Sequence, residues 1–310
     1  MKTYSPQKKI LIIKFGGLGD VVLSLNAISS IFDHHKSKMF LLTEKPFDKF
    51  LIKSNWFYKT FTIKRSLFYF MDILQVRKKI KNIDFDYVYD LQTSKRSSFY
   101  LKFFLKTGAV TNGIGKFAQI RHLDSNRNNM HTVERQKEQI ELSNIKFKLK
   151  DDFSWLVKSK IKIPKRKYVL VVPGGSRKRM NKRIPYKIYI DIVYSLIKSG
   201  LQVFLIGSND DKKICKDIEN KFPEVINLCN KTDFFDLVWL AKNSLVAIGN
   251  DTGPMHLIAK GGQKTFVFFT KHSNPELCKP LGKKVSIFLY EKNYEKFYKQ
   301  IILELKNISL

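Results

Sequence analysis

The chain has 310 residues, a formal net charge of +30, 44% hydrophobic residues and three cysteines. That length suits two domains, and that apolar content fills true cores, which excludes an intrinsically disordered chain. The odd cysteine count and the lack of metal-ligand spacing argue against a disulfide framework and for a reducing compartment, and no apolar run approaches the ~18 residues of a membrane span.

In chain order, KKILIIKF reads as a first strand, GGLGD as a turn and VVLSLNAISSIF as a helix. KMFLLT and DYVYDL follow as strands, and SKRSSFYLKFFLKTG and HTVERQKEQIEL as helices. The pattern restarts at KYVLVVPGG, a strand that enters a glycine turn. PYKIYIDIVYSLIKSG is a helix with Pro185 near its start and Gly200 at its end. LQVFLIG, VINLC, SLVAIG and KTFVFF are further strands, with helices DDKKICKDIENKF, DFFDLVWLAKN and PMHLIAKGG between them. Regular alternation of strand and helix predicts parallel sheets covered on both faces. The expected fold is therefore α/β, with two Rossmann-like, doubly wound domains over 1–160 and 161–310. They are joined through the Lys-rich KSKIKIPKRK. The last helix, NYEKFYKQIILELKN, suits a cap on either domain, including a return onto the N-terminal one. In such folds ligands bind beyond the carboxyl ends of the strands, so two domains can face one cleft.

Three loops carry the candidate chemistry. In Gly16-Gly17-Leu18-Gly19-Asp20, Gly17 and Gly19 permit a sharp turn and close approach of another molecule. Asp20 then has two readings: a helix N-terminal acid that suits the macrodipole, or a carboxylate base. Val22 stands where a dinucleotide fingerprint needs its third glycine, so a dehydrogenase is disfavoured. In PGGSRKRMNKRIP, residues 173–185, Gly174, Gly175 and Ser176 suit a backbone nest for an anion, and Arg177, Lys178, Arg179, Lys182 and Arg183 suit a phosphate. From Phe153 to Ile190 there is no acidic residue at all. In GNDTGPMHL, an apolar run ends in turn and cap residues, and Pro254 opens a helix. This places Asp251, Thr252 and Gly253 at a helix N-terminus suited to phosphate and sugar hydroxyls, with His256 in the first turn as either a ligand-binding or a structural side chain.

Together these loops resemble glycosyltransferase family 9, the lipopolysaccharide heptosyltransferases. The likeness runs through ILIIKFGGLGDVVLSLNAI, YDLQTSKRSSFYLKFFLKTGAVTNGIG, VVPGGSRKRMNKRIP and NKTDFFDLVWLAKNSLVAIGNDTGPMHL, the last with the specific D-T-G-P-M-H core. The resemblance implies a GT-B fold with the acceptor on the N-terminal side and the nucleotide sugar, typically an ADP-heptose, on the C-terminal side. It implies inverting transfer to a lipopolysaccharide core or similar glycan, with no metal and no cofactor beyond the nucleotide-sugar co-substrate. Asp20 matches the family's catalytic base and Lys182 its diphosphate lysine; Asp251, Thr252, Gly253 and His256 match its donor block. Two departures stand out: Ile184 occupies a position where the family usually has Trp, and FFTKHSNPE replaces its usual F-G-x-T-x-P loop.

The strong positive charge favours polyanions, which makes a basic nucleic-acid-binding protein a competing class, but no nucleic-acid module is visible and none is expected as a partner. A nucleotide-sugar epimerase on the same fold is the other alternative, distinguished by free-sugar product. The expected location is cytoplasmic, with peripheral contact to an anionic inner-membrane surface through basic-aromatic segments such as SNWFYKTF and SFYLKFFLK.

Overall fold

The computed structural model describes residues 8–64 and 69–308. The chain divides into two compact units, Met1–Lys150 and Asp151–Leu310. In the first, strands β1 (Ile10–Ile13), β2 (Met39–Thr43), β3 (Phe57–Thr62), β4 (Tyr87–Asp90), β5 (Val110–Gly113) and β6 (Ile120–Arg121) form one sheet in the order β3-β2-β1-β4-β5-β6. All its pairings are parallel. The connecting helices are α1 (Leu18–Leu23), α2 (Leu25–His35), α3 (Phe47–Leu51), α4 (Tyr69–Ile80), α5 (Lys95–Tyr100) and α6 (Thr132–Glu141). β1 is ILII with every residue buried, as a central strand covered on both faces requires.

The second unit repeats the plan. Strands β7 (Tyr168–Val172), β8 (Gln202–Leu205), β9 (Ile226–Asn227), β10 (Val246–Asn250), β11 (Lys264–Thr270) and β12 (Val285–Tyr290) run in the order β12-β11-β10-β7-β8-β9. They too are parallel throughout. Helices α7 (Tyr186–Lys198), α8 (Lys212–Lys221), α9 (Phe234–Asn243), α10 (Gly253–Ala259), α11 (Pro275–Cys278) and α12 (Tyr294–Lys306) connect and cover them. Each sheet therefore has one place where the winding direction reverses, between β1 and β4 and between β7 and β10. Beyond the carboxyl ends of those pairs such folds bind their ligands.

Several elements differ from the sequence reading. Residues 151–160 join the second unit, ahead of the break expected at 160, because this stretch packs there. Trp155 meets the Phe235 ring edge-on, Ser159 Oγ donates to Asp236 at 2.5 Å, and Trp239 Nε1 donates to the Ile161 carbonyl at 3.1 Å. α12 puts Phe297, Ile301 and Leu305 into the second unit's core. The SNWFYKTF segment is β3, with Trp56, Phe57 and Phe61 buried and Tyr58 exposed, so most of its aromatic surface is core. The helix expected over SKRSSFYLKFFLKTG is α5 followed by a tight 3₁₀ turn over Leu101–Phe104, and the helix after GGLGD breaks at Ser24 into α1 and α2.

Candidate functional site

In the first unit, β1 ends into Lys14 and Phe15, and β4 ends into Leu91, Gln92 and Thr93. A pocket of about 170 Å³ opens there, with Asp20, Lys14, Thr93, Arg127, Arg135 and Gln136 among its lining side chains. Gly17 has φ 83°, a left-handed conformation that glycine tolerates, and a Cβ on it would overlap the Asp20 carboxylate. The turn glycine thus makes room for the acid, which lies in the first turn of α1 and is exposed, while Gly19 falls inside α1. The Asp20 carbonyl accepts from Ser24 Oγ at 2.7 Å, and Gln136 Nε2 donates to that same Oγ at 2.8 Å, tying α6 to the α1–α2 break.

The pocket floor is cationic. Lys14 is buried and its ammonium donates to the Leu91 carbonyl at 3.3 Å. Burial lowers its pKa; the carboxylates of Asp20 and Asp90 pull it back up, and Arg135 pushes it down. Arg127 donates to the Arg135 carbonyl at 3.2 Å, to Gln139 Oε1 at 3.1 Å and to His122 Nδ1. Burial, then the neighbouring Arg135, lowers its pKa to about 10, which leaves it charged at neutral pH. Below the pocket Asp90 is fully buried, and burial raises its pKa to about 6 despite N–H donors from Gln92 at 3.1 Å and Thr93 at 3.0 Å. Such a pocket is shaped for a small polar group carrying negative charge, with one exposed carboxylate at its rim.

In the second unit the loops after β7 and β10 meet at the reversal point and lock together. Asn250 Nδ2 donates to the carbonyls of Pro173 and Gly174 at 2.9 and 3.0 Å, while its Oδ1 accepts from the Ile184 N–H at 3.1 Å. Ile184 is buried, filling this junction. The expected glycine nest is already occupied from within: the Gly175 N–H donates to Asp211 Oδ1 at 2.7 Å, and Gly174 lies so close to that carboxylate that a Cβ would collide with it. Asp211 also accepts from Ser208 N and Oγ, both at 2.9 Å, and from Arg183 at 3.3 Å; Arg183 bonds the Gly175 carbonyl as well. An internal carboxylate thus takes the place foreseen for a ligand anion, because the Ser208–Asp211 capping box delivers it there.

Lys182 donates to Asp251 Oδ2 at 2.6 Å and to Ser273 Oγ at 2.9 Å, and Ser273 Oγ donates to Asp251 Oδ2 at 2.5 Å. The Lys182 side chain is 17% exposed and that of Asp251 only 5%, so the lysine is the member of the pair that reaches solvent. Ser176 is exposed and caps the short 3₁₀ turn over Arg177–Lys182, accepting from the Lys178 N–H at 3.3 Å. Arg177 pairs with Asp210 at 3.1 Å, whereas Lys178 and Arg179 are exposed. α10 is short, its Pro254 brings no N–H, and the Met255 N–H already donates to the Thr252 carbonyl at 3.1 Å, so this helix start offers fewer free donors than the sequence suggested. Thr252 Oγ1 is buried with no hydrogen-bond partner among the described residues, while Gly253 opens α10 and His256 is buried within it. Among the described residues no group of three or more His, Cys, Asp or Glu side chains is placed to hold a metal.

The structure therefore brings Lys182, Asp251, Thr252 and Gly253 to one strand-end junction and places Asp20 in the first unit's pocket. Sequence reasoning missed Lys14, Arg127 and Arg135 in the first unit and Asp211, Asn250 and Ser273 in the second. Lys14 carried a signal, a lysine at the end of an otherwise apolar central strand; Asp211 carried another in its Ser-x-x-Asp cap. Arg127 had none.

Two doubly wound parallel sheets of one topology, with polar groups gathered at each reversal point, define a two-domain α/β protein of the GT-B class. The chain belongs to glycosyltransferase family 9 (heptosyltransferase), whose family model matches residues 73–306. It is similar to lipooligosaccharide heptosyltransferase 2 of Haemophilus influenzae, with 31% identity over 111 residues. That stretch covers 34% of this chain and about a third (32%) of the relative's length. Its fold is similar to that of the E. coli ADP-heptose LPS heptosyltransferase II (TM-score 0.78, 17% identity, covering 97% of this chain and 98% of that one). It is equally similar to E. coli heptosyltransferase WaaC with ADP (TM-score 0.79, 16% identity, 97% and 100% covered). At those identities the structural likeness is one of fold.

Proposed function

We propose that the protein is an inverting, metal-independent glycosyltransferase that moves a heptose, or a related sugar, from an ADP-sugar to a lipopolysaccharide core or similar glycan. The observation that carries this reading is the position of Asp20, an exposed carboxylate at the rim of a cationic pocket at the first sheet's reversal point. Family membership and the lysine-bearing junction of the second unit support it. So does the likeness in fold to E. coli WaaC, a heptosyltransferase solved with ADP.

In this mechanism the Asp20 carboxylate accepts the proton of an acceptor hydroxyl, worth ~10²–10⁴-fold in rate. The hydroxyl oxygen forms a bond to the anomeric carbon from the face opposite the leaving group. The bond from that carbon to the diphosphate oxygen breaks, and the nucleoside diphosphate departs with the electron pair. Lys14, Arg127 and Arg135 give the pocket a potential that suits an acidic glycan. In the second unit, Lys182 turns its ammonium toward the charge that gathers on the diphosphate, and Asp251 and Ser273 hold that lysine in place. Thr252 Oγ1 and the Gly253 N–H supply neutral donors beside it. The reaction's expected setting is the cytoplasmic face of the inner membrane.

The test is to incubate the protein with ADP-heptose, and in parallel with UDP- and GDP-sugars, with and without a lipopolysaccharide-core acceptor. Mass spectrometry then follows the glycan and the released nucleotide. An acceptor heavier by one heptose, formed only with ADP-heptose, is the expected result. Free sugar released equally without acceptor would replace this reading by the epimerase or a hydrolase, and transfer from another nucleotide sugar would revise the donor.

A further inference from the structure

Helix α4 has two unlike faces. Its inner face buries Val76 and Ile80, and Asp72 is fully buried in an ion pair with Arg96 at 2.6 Å. Its outer face carries Met71 and Leu74, 46% and 59% exposed, together with the exposed Phe70. Exposed Arg77 and Lys78 follow on that face, and Lys81 lies just past the helix end. Large apolar side chains grouped in the open call for an explanation, since single exposed ones do not.

Beside this helix lies a groove of about 630 Å³ whose lining includes Ile73, Ile83, Phe99 and Phe103. Four cations, Arg77, Lys81, Lys102 and Lys106, also line it, against the single carboxylate of Asp84 among the lining side chains. Leu105, 53% exposed, stands on the same wall. An apolar crest flanked by cations is the chemistry of a segment that lies in a bilayer interface, its apolar groups among the upper acyl chains and its cations among anionic headgroups. A second copy of this chain fits the surface poorly, because an isologous contact would bring the same cations face to face. Bare nucleic acid would satisfy the cations and leave the crest in water. Of the two basic-aromatic segments visible in the sequence, only the one ending at Leu105 and Lys106 contributes to this surface.

We propose that the outer face of α4 and the adjoining groove edge at Lys102, Leu105 and Lys106 form a docking surface for an anionic phospholipid bilayer. Binding here uses no nucleotide sugar and no catalytic side chain, so it stands or falls separately from the glycosyl-transfer reading.

The test uses the full chain and vesicles of phosphatidylcholine with and without about 30% phosphatidylglycerol, read by co-sedimentation at low and at about 0.5 M salt. Binding is expected only to the anionic vesicles and is expected to fall away at high salt. Each cation near the surface is worth about fivefold in partitioning, so Arg77→Gln with Lys81→Gln should weaken it by more than tenfold. Leu74→Asp with Leu105→Asp should remove it; both sites are exposed, so folding, checked by circular dichroism, should be kept. Equal binding to uncharged vesicles would overturn the proposal, as would retention of anionic-vesicle binding by both double variants. A concentration-dependent dimer in light scattering that Leu74→Asp dissolves would overturn it too, by assigning the surface to a second copy.

Discussion

The two reversal points share one topology and handle charge in opposite ways. In the first unit, cations line an open pocket and the one carboxylate at the rim, Asp20, faces outward. In the second, the charged groups hold each other: Lys182 is latched by Asp251 and Ser273, and Arg183 and Gly175 by Asp211. The first site therefore presents a field, and the second presents a fixed frame in which the Lys182 side chain, 17% exposed, is held in place. The contrast suits two tasks. Proton transfer from an acceptor needs an accessible base, whereas a diphosphate needs donors held in place before it arrives.

The largest effect expected from breaking this contrast is at Asp20. Asp20→Asn should lower kcat by at least ~10²-fold with donor affinity unchanged, measured by steady-state rates and by titration with nucleotide sugar. Next comes the frame itself. Asp211→Ala leaves Arg183 and the Gly175 N–H without their shared carboxylate, and should cost about 3 kcal/mol in denaturant unfolding. The same cut made at an exposed pair such as Lys216–Glu219 should leave the unfolding midpoint nearly unchanged.

A pH dependence is expected from the first unit's buried carboxyl. Asp90 has its pKa raised by burial, from the ordinary 3.8 to about 6, so the folded state holds its proton more tightly than the unfolded state does. Between about pH 4 and 6 the folded chain binds more protons, and stability falls as pH rises through that window. Asp90→Asn should remove up to about 3 kcal/mol of that slope, read from urea midpoints across the range. Smaller than either buried-carboxylate change is Lys182→Ala, expected to weaken nucleotide-sugar binding about tenfold to a hundredfold while leaving acceptor binding alone, as calorimetry would show. If Lys182→Ala instead altered only acceptor binding, the division of labour between the units would be wrong.

Much of the architecture was legible because the central strands of a parallel sheet are short, continuous apolar runs, and ILII, YVLVV and VAIGN announce themselves. The edges were less so: VINLC marks β9, but β3 carries Lys59 and half-exposed positions, β12 is partly exposed along its length, and β6 has two residues. Glycine turns and the D-T-G-P-M-H run mark strand-end loops in the sequence but not the partners of their charges. Asp211 reaches Gly175 from 36 residues away and Gln136 reaches Ser24 from 112 away; contacts of that kind are set by the winding of the sheet, which local pattern does not encode. The glycine nest shows the cost of reading a loop alone, since the anion that fills it belongs to the protein.

The tie that Asn250 makes among Pro173, Gly174 and Ile184 has a thermodynamic consequence. A loop pinned by one side-chain amide has surrendered its conformational freedom during folding, so a nucleotide bound as proposed would need to order little beyond its own rotors. Donor association in this unit should then show a modest entropic penalty and a fast approach to equilibrium, and loosening Asn250 would transfer that ordering cost onto the ligand.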